Sequence, residues 1–213
     1  MARQWQRGRR AQQGAWALAL AVGAVGAAAY LALVLTGDNP WLFRVYYLGG
    51  ALLTAPLLGL GSAYLLPNPL WPRIYLGICA AGGLLGAGAL AGTPLDRAAL
   101  RHIGYGPGTS VVHGGLFLTC LIVLNTLGAV SVIGVALWSI YRSALRHAPW
   151  AYVGGNAMIA IGTLVIAAAG GLARLGDGAG FWGAMAVGWV IVYGGFAAMA
   201  AYRPAVRRAE APT

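Results

Sequence analysis

Arg44, Tyr46 and Tyr47 stand almost side by side at the head of an apolar stretch, WLFRVYYLGG. A guanidinium can hold a phosphate or carboxylate through two parallel N–H bonds. Phenol hydroxyls beside it add donors. His113 and Arg174 fall at the same depth in the hydrophobic pattern. Together Arg44, Tyr46, Tyr47, His113 and Arg174 form a candidate ligand-binding set for an anion or a lipid headgroup. The competing reading needs no ligand. Arginines near helix ends reach out to water, here with Asp38 or Asp177 as local partners.

Two asparagines are the other polar groups at membrane depth. Asn125 falls at the centre of one apolar run, and Asn156 toward the inner end of the next. A carboxamide there bonds to a neighbouring helix, typically for under about 1–2 kcal/mol, or it lines a polar cavity. The helix-to-helix role is the simpler one.

Most other chemistries lack their residues. No Asp or Glu falls inside an apolar run, whereas proton- and sodium-coupled pumps need an intramembrane carboxylate or histidine relay. There is no lysine, so no Schiff-base pigment can form. His102, His113 and His147 offer no facing pair for haem, and no Cys/His spacing suits zinc. Ser62, in GLGSAY, has no histidine at matching depth to activate it. No carboxylate pair could hold a metal for lipid phosphotransfer. Gly104-Tyr105-Gly106 matches a potassium-filter tripeptide. However, LDRAALRH before it is too charged for a pore helix, so a flexible outer loop is expected. Cys79 and Cys120 read as small buried hydrophobes. The expectation is no catalytic residue, no metal and no cofactor.

These residues must be positioned by membrane helices. The 213-residue chain is 60% hydrophobic and 8% charged, against about a quarter charged in soluble chains. Runs of about 20 apolar residues cross the hydrocarbon core. Six are predicted: Ala15 to Thr36, Trp41 to Leu66, Ile74 to Gly92, Val111 to Tyr141, Ala151 to Leu172 and Ala179 to Tyr202. The head MARQWQRGRR resembles a signal peptide's basic region, but the run after it is too long for one. The fold class is therefore all-α, a polytopic transmembrane bundle of six helices. Residues 1–14 form a basic cytoplasmic segment, 15–202 the membrane domain, and 203–213 a cytoplasmic tail.

Arginine placement orients the bundle. With both termini inside, the inner face holds Arg3, Arg7, Arg9, Arg10, Arg73, Arg142, Arg146, Arg203, Arg207 and Arg208. The outer face holds Arg44, Arg97, Arg101 and Arg174. Ten against four makes the bundle N-in and C-in. The net charge of +10 thus reports topology, and no nucleic-acid motif accompanies it.

Glycine supplies close packing. Ala19/Gly23/Ala27, Ala55/Gly59/Ala63, Gly82/Gly86 and Ala184/Gly188 each fall on one helix face, the small-residue pattern by which membrane helices approach. Pro56 lies mid-helix and leaves the Leu52 carbonyl without its N–H. Thr54 or Ser62 is placed to compensate. A broken helix at midplane can also mark a transport site.

RVYYLGGALL with GLGSAYLL, and GGNAMIAIGTLVIAAAGGLARLG, resemble segments of an uncharacterised small multipass membrane protein family of high-GC bacteria. The resemblance spans about a quarter of the chain and implies no activity. It singles out Arg44, Asn156 and Arg174. It places the chain in a bacterial inner (cytoplasmic) membrane.

The leading expectation is a non-enzymatic accessory or assembly subunit of a larger membrane complex. Its partners are the lipid bilayer and other membrane subunits or further copies of itself. The alternative is a transporter of a small solute, anion or lipid using the outer basic set. A third reading, a pigment- or quinone-binding subunit, rests on His113 and the 8 tryptophans.

Overall fold

The computed structural model describes residues 2–101, 103, 106–113 and 115–209, with side chains from 11 to 201. The basic head's side chains, His102, Gly104 and Tyr105 lie outside that description. All regular structure among the described residues is helical. The elements are α1 (Ala2–Thr36), α2 (Pro40–Ala63), α3 (Leu70–Gly92), α4 (Arg97–Arg101), α5 (Gly115–Leu145), α6 (Trp150–Arg174) and α7 (Gly178–Ala209). All but α4 are long and apolar enough to cross a membrane, making six crossings.

Local chemistry sets the boundaries. Nothing between the basic head and the first apolar run breaks a helix, so α1 starts at Ala2 rather than Ala15. It ends where Gly37 takes φ +79° and returns its N–H to the Leu33 oxygen at 2.8 Å, a left-handed cap that glycine favours. Asn39 then starts α2, its Oδ1 accepting the N–H groups of Trp41 and Leu42 at 3.0 and 3.1 Å. Pro40 follows at the first helical position, where its missing N–H costs nothing. Asp177 opens α7 in the same way, accepting from Gly180 N–H at 2.8 Å.

Several expected ends move. The second crossing stops at Ala63, where two tight turns at Leu65 and Leu66 lead into Pro67. The fourth begins at Gly115, not Val111, because Val111 and Val112 are buried in the preceding loop. The sixth apolar span, Gly178–Ala201, agrees with the expected run, and its helix continues to Ala209.

The helix faces determine the layout. About 56% of the most apolar window of α2 is buried, against 11–28% for the other five crossings. Thus α2 is the hub and the rest face lipid. It lies antiparallel to α1, with Gly26 against Gly49 and Gly50, and Trp16 against Gly61. It runs parallel to α5, where Gly128 meets Ala55 and Gly59. α3 fits against α2 and α5 through Gly82, beside Leu124, and Gly86, beside Leu52 and Cys120. α6 and α7 form a tight hairpin on α5. Gly155 and Gly162 of that hairpin touch the Gly195 and Gly188 backbones. Aromatic rings tie α7 to α1, Trp16 to Phe196 at 5.3 Å and Tyr30 to Trp182 at 4.8 Å between centroids. Most expected small-residue faces take part in these contacts. Ala27 does not: it is exposed, and the buried face of α1 runs through Ala15, Ala19, Gly26, Ala29 and Leu33.

These pairings place residues 37–39, the described residues between 93 and 113, and residues 175–177 at one end of the bundle, termed the cap end. The start of α1 and the end of α7 lie at the other.

Candidate functional site

The hub helix is not a continuous α-helix. Pro40–Tyr46 is α-helical, Tyr47–Leu53 is π-helical, and Thr54–Ala63 is α-helical again. A π turn bonds each carbonyl to the N–H five residues on. Pro56, just past this segment, brings no N–H to the helix. Asn125 of α5 brings a side-chain donor to the same stretch, its Nδ2 lying 2.8 Å from the Ala51 oxygen and 2.8 Å from its own Leu121 oxygen. Neither residue expected to compensate does so at Leu52. Thr54 Oγ1 donates to the Gly49 oxygen at 2.8 Å, and Ser62 Oγ to the Leu58 oxygen at 3.2 Å.

Further donors reach the same backbone from three helices. Trp16 Nε1 of α1 donates to the Leu58 oxygen at 3.3 Å. Cys79 Sγ of α3 donates to the Pro56 oxygen at 3.8 Å, and Ser131 Oγ of α5 to the Gly59 oxygen at 2.9 Å. Sequence reading had no means to find Trp16, Cys79 or Ser131, because each matters only through the helix opposite. Pro56 was the available signal, since it demands a donor from somewhere.

Arg44 has a different task from the one its type suggests. Its Nε donates to the Leu90 oxygen at 3.3 Å and its Nη2 to the Thr93 oxygen at 3.2 Å. Those are open carbonyls at the C-terminus of α3, where the helix dipole is negative. Arg44 is thus a cap supplied by one helix to another. Its expected partner Asp38 is engaged elsewhere, accepting from Arg101 Nε at 3.1 Å with Arg97 Nη1 at 3.8 Å. Both arginines are well exposed, so each pair contributes under about 1 kcal/mol.

Tyr46 and Tyr47 turn inward rather than toward Arg44. Both are buried. Tyr46 Oη donates to the Pro107 oxygen at 3.1 Å, and Tyr30 Oη to the Gly106 oxygen at 2.9 Å. Tyr47 stacks on Phe43 at 4.4 Å between centroids. Described residues of the segment above them pack onto these rings; Gly104 and Tyr105, on which the flexible-loop expectation rested, lie outside the described residues. Leu100, Ile103, Val111 and Val112 of this segment are buried in the cluster of Phe43, Tyr47 and Phe117. Asp96 N–H bonds to the Val111 oxygen at 3.1 Å, closing the segment on itself. The described residues between 93 and 113 therefore form a cap over the rings.

The remaining two members of the candidate set stand apart from this arrangement. His113 is exposed and precedes α5 instead of lying on it. Arg174 ends α6 and is exposed. Its expected partner Asp177 is used to cap α7. Substituting His113→Ala or Arg174→Ala is therefore expected to change stability by no more than about 0.5 kcal/mol, checked by thermal unfolding in detergent. A loss above about 1 kcal/mol would mean that one of them has a buried partner. Asn156 joins the α6–α7 hairpin, its Nδ2 lying 2.8 Å from the Tyr152 oxygen and 3.5 Å from Met199 Sδ.

Two buried side-chain atoms, Asp38 Oδ1 and the Tyr75 hydroxyl, meet no partner within hydrogen-bond geometry among the described residues. The Tyr75 hydroxyl is packed against Gly59. An unmade bond in a dry site costs stability. Tyr75→Phe is therefore expected to leave the unfolding midpoint unchanged or raise it. A clear drop would show that the hydroxyl is bonded, for example through a water.

Among the described residues, no three His, Cys, Asp or Glu side chains gather as metal ligands would. Compared with family models, curated proteins and solved structures, the chain matches none.

Proposed function

We propose that this chain is a non-enzymatic multi-pass subunit that acts through helix packing, as an accessory or assembly component of a larger membrane complex. One observation carries the reading. The polar groups at membrane depth are directed at protein backbone: Arg44, Asn125, Ser131, Cys79 and Trp16 all end on main-chain oxygens of neighbouring helices. Such groups hold a bundle together and leave little for a ligand. Five crossings also keep most of their apolar surface outward, where lipid or a partner helix covers it.

The same reading puts the chain in a bacterial cytoplasmic membrane with both termini inside, supported by the ten-to-four arginine bias. Exposed Trp41, Trp71 and Trp150 sit at helix ends, as interface anchors do.

A second reading, transport of a small solute, anion or lipid, draws on the interrupted hub helix, a feature of many transporters. Against it, Arg44 donates to carbonyls of α3, and His113 and Arg174 stand apart from it. The pigment or quinone reading retains only an exposed His113.

Native mass spectrometry after mild extraction from the native membrane separates these. Stoichiometric partner proteins are expected. A lone chain or homo-oligomer that retains lipid or a small anion would instead support the transport reading.

A further inference from the structure

α5 has 31 residues and is about 46 Å long, against a hydrocarbon core of about 30 Å. Its first turn is fixed at the cap end, because Phe117 is buried in the aromatic cluster there. The excess length therefore falls at the opposite end, where about the last three turns of α5 stand in the headgroup layer. Those turns carry Trp138, Tyr141 and Arg142.

The three side chains are gathered. The Arg142 guanidinium lies over the Trp138 ring, 6.0 Å from its centroid. Trp138 is one turn nearer the cap, so this arginine reaches back toward the bilayer. An arginine held by nothing reaches out to water instead. The Tyr141 ring stands 5.9 Å from that of Trp138, and both rings are exposed on the side of the bundle that faces lipid. Among the described residues, the guanidinium N–H groups meet no acceptor and no carboxylate. Asp38, Asp96 and Asp177 all lie at the cap end. A charge held at headgroup depth with its donors unused calls for an anionic acceptor from outside the chain. In that layer the abundant one is phosphate.

We infer that Trp138, Tyr141 and Arg142 form a phosphate-binding site on the lipid-facing side of α5, at the end of the bundle opposite the cap. Arg142 holds the phosphate by charge-assisted bonds, Trp138 fixes where the guanidinium sits, and the Tyr141 hydroxyl adds a donor. The phosphate belongs to an anionic phospholipid or is free in solution. The site is separate from Arg44 and independent of whether the chain is a subunit or a transporter.

Arg73 is the matched comparison. It carries the same charge, is exposed and stands near the start of α3 at the same end of the bundle. The experiment titrates the full chain in a mild nonionic detergent and follows the rise in unfolding midpoint, since a ligand of the folded state stabilises it. The probes are phosphatidylglycerol, a diacylglycerol with the same chains, and inorganic phosphate. Each variant is referred to its own midpoint without a probe, so a merely structural effect of the substitution cancels.

Phosphatidylglycerol is expected to raise the midpoint saturably, and the diacylglycerol, which lacks phosphate, is not. In Arg142→Gln the half-saturating concentration should rise roughly tenfold, as for the loss of one charge-assisted bond. In Trp138→Leu it should rise roughly threefold. Arg73→Gln should titrate like the parent. A saturable rise with inorganic phosphate alone, weakened by the same two substitutions, would support the site and make free phosphate its source; a rise with the lipid alone makes the source phosphatidylglycerol. Lipid held here is lost with Arg142→Gln, which distinguishes it from lipid retained along a transport path. Parent-like titration in Arg142→Gln overturns the inference. So does equal weakening in Arg73→Gln, which would mean a diffuse basic surface, or an equal rise with the diacylglycerol, or no rise with any probe.

Discussion

Adding one methyl group at Gly128 is expected to cost the protein about 2–3 kcal/mol. A Cβ at that position would lie 2.5 Å from both the carbonyl carbon and oxygen of Ala55 and 2.9 Å from Pro56 nitrogen. All three are backbone atoms of the hub helix, so no side chain can rotate away. The two helices would have to separate. That separation would also lengthen the bonds from Asn125 to Ala51 and from Ser131 to Gly59, which span the same interface. Gly134→Ala, on the same helix, is the matched control, because nothing lies within 4 Å of a Cβ there. Thermal unfolding of the two variants in one detergent makes the comparison. Equal midpoints would mean that α2 and α5 are not in backbone contact at Gly128, and the hub arrangement would fall with them.

The second large effect belongs to Arg44. Arg44→Ala removes two charge-assisted bonds and leaves the Leu90 and Thr93 oxygens to other partners. About 2 kcal/mol of stability should be lost, since bonds to charged groups are worth about 1.5–3 kcal/mol. Lysine should not restore it fully, because one ammonium cannot reproduce the two-pronged geometry of Nε and Nη2. Unfolding midpoints of the two proteins in one detergent measure the loss. If Arg44→Ala instead kept full stability and abolished binding of inorganic phosphate in calorimetry, Arg44 would be a ligand group after all.

Much of the architecture was legible from periodicity and composition. Burying six apolar runs in lipid leaves helices as the only open choice, so number, order and class follow without knowledge of any contact. Helix starts at Asn39 and Asp177 follow from local side-chain chemistry. Misplaced ends have specific causes. Val111 and Val112 are apolar, and apolarity alone cannot distinguish a residue facing lipid from one tucked under a cap. The head of α1 is polar, and polarity alone does not end a helix that nothing breaks.

The candidate site shows the same division more sharply. Arg44, Tyr46, Tyr47, His113 and Arg174 were grouped by type and depth, which sequence supplies. What each side chain touches depends on the angle around its helix and on the neighbour facing it. A π turn shifts that angle for half of α2, and no local pattern announces it. Once helices are paired, Arg44 meets the open end of α3, the tyrosines turn beneath the cap, and His113 and Arg174 stay at the surface. The sequence by itself determined the six helices, their polar inventory and the N–H that Pro56 fails to supply, because these depend on residue identity and spacing along one helix. Only the tertiary structure decided which carbonyl Asn125 reaches and whom Arg44 serves, because a hydrogen bond between helices is settled by which faces meet.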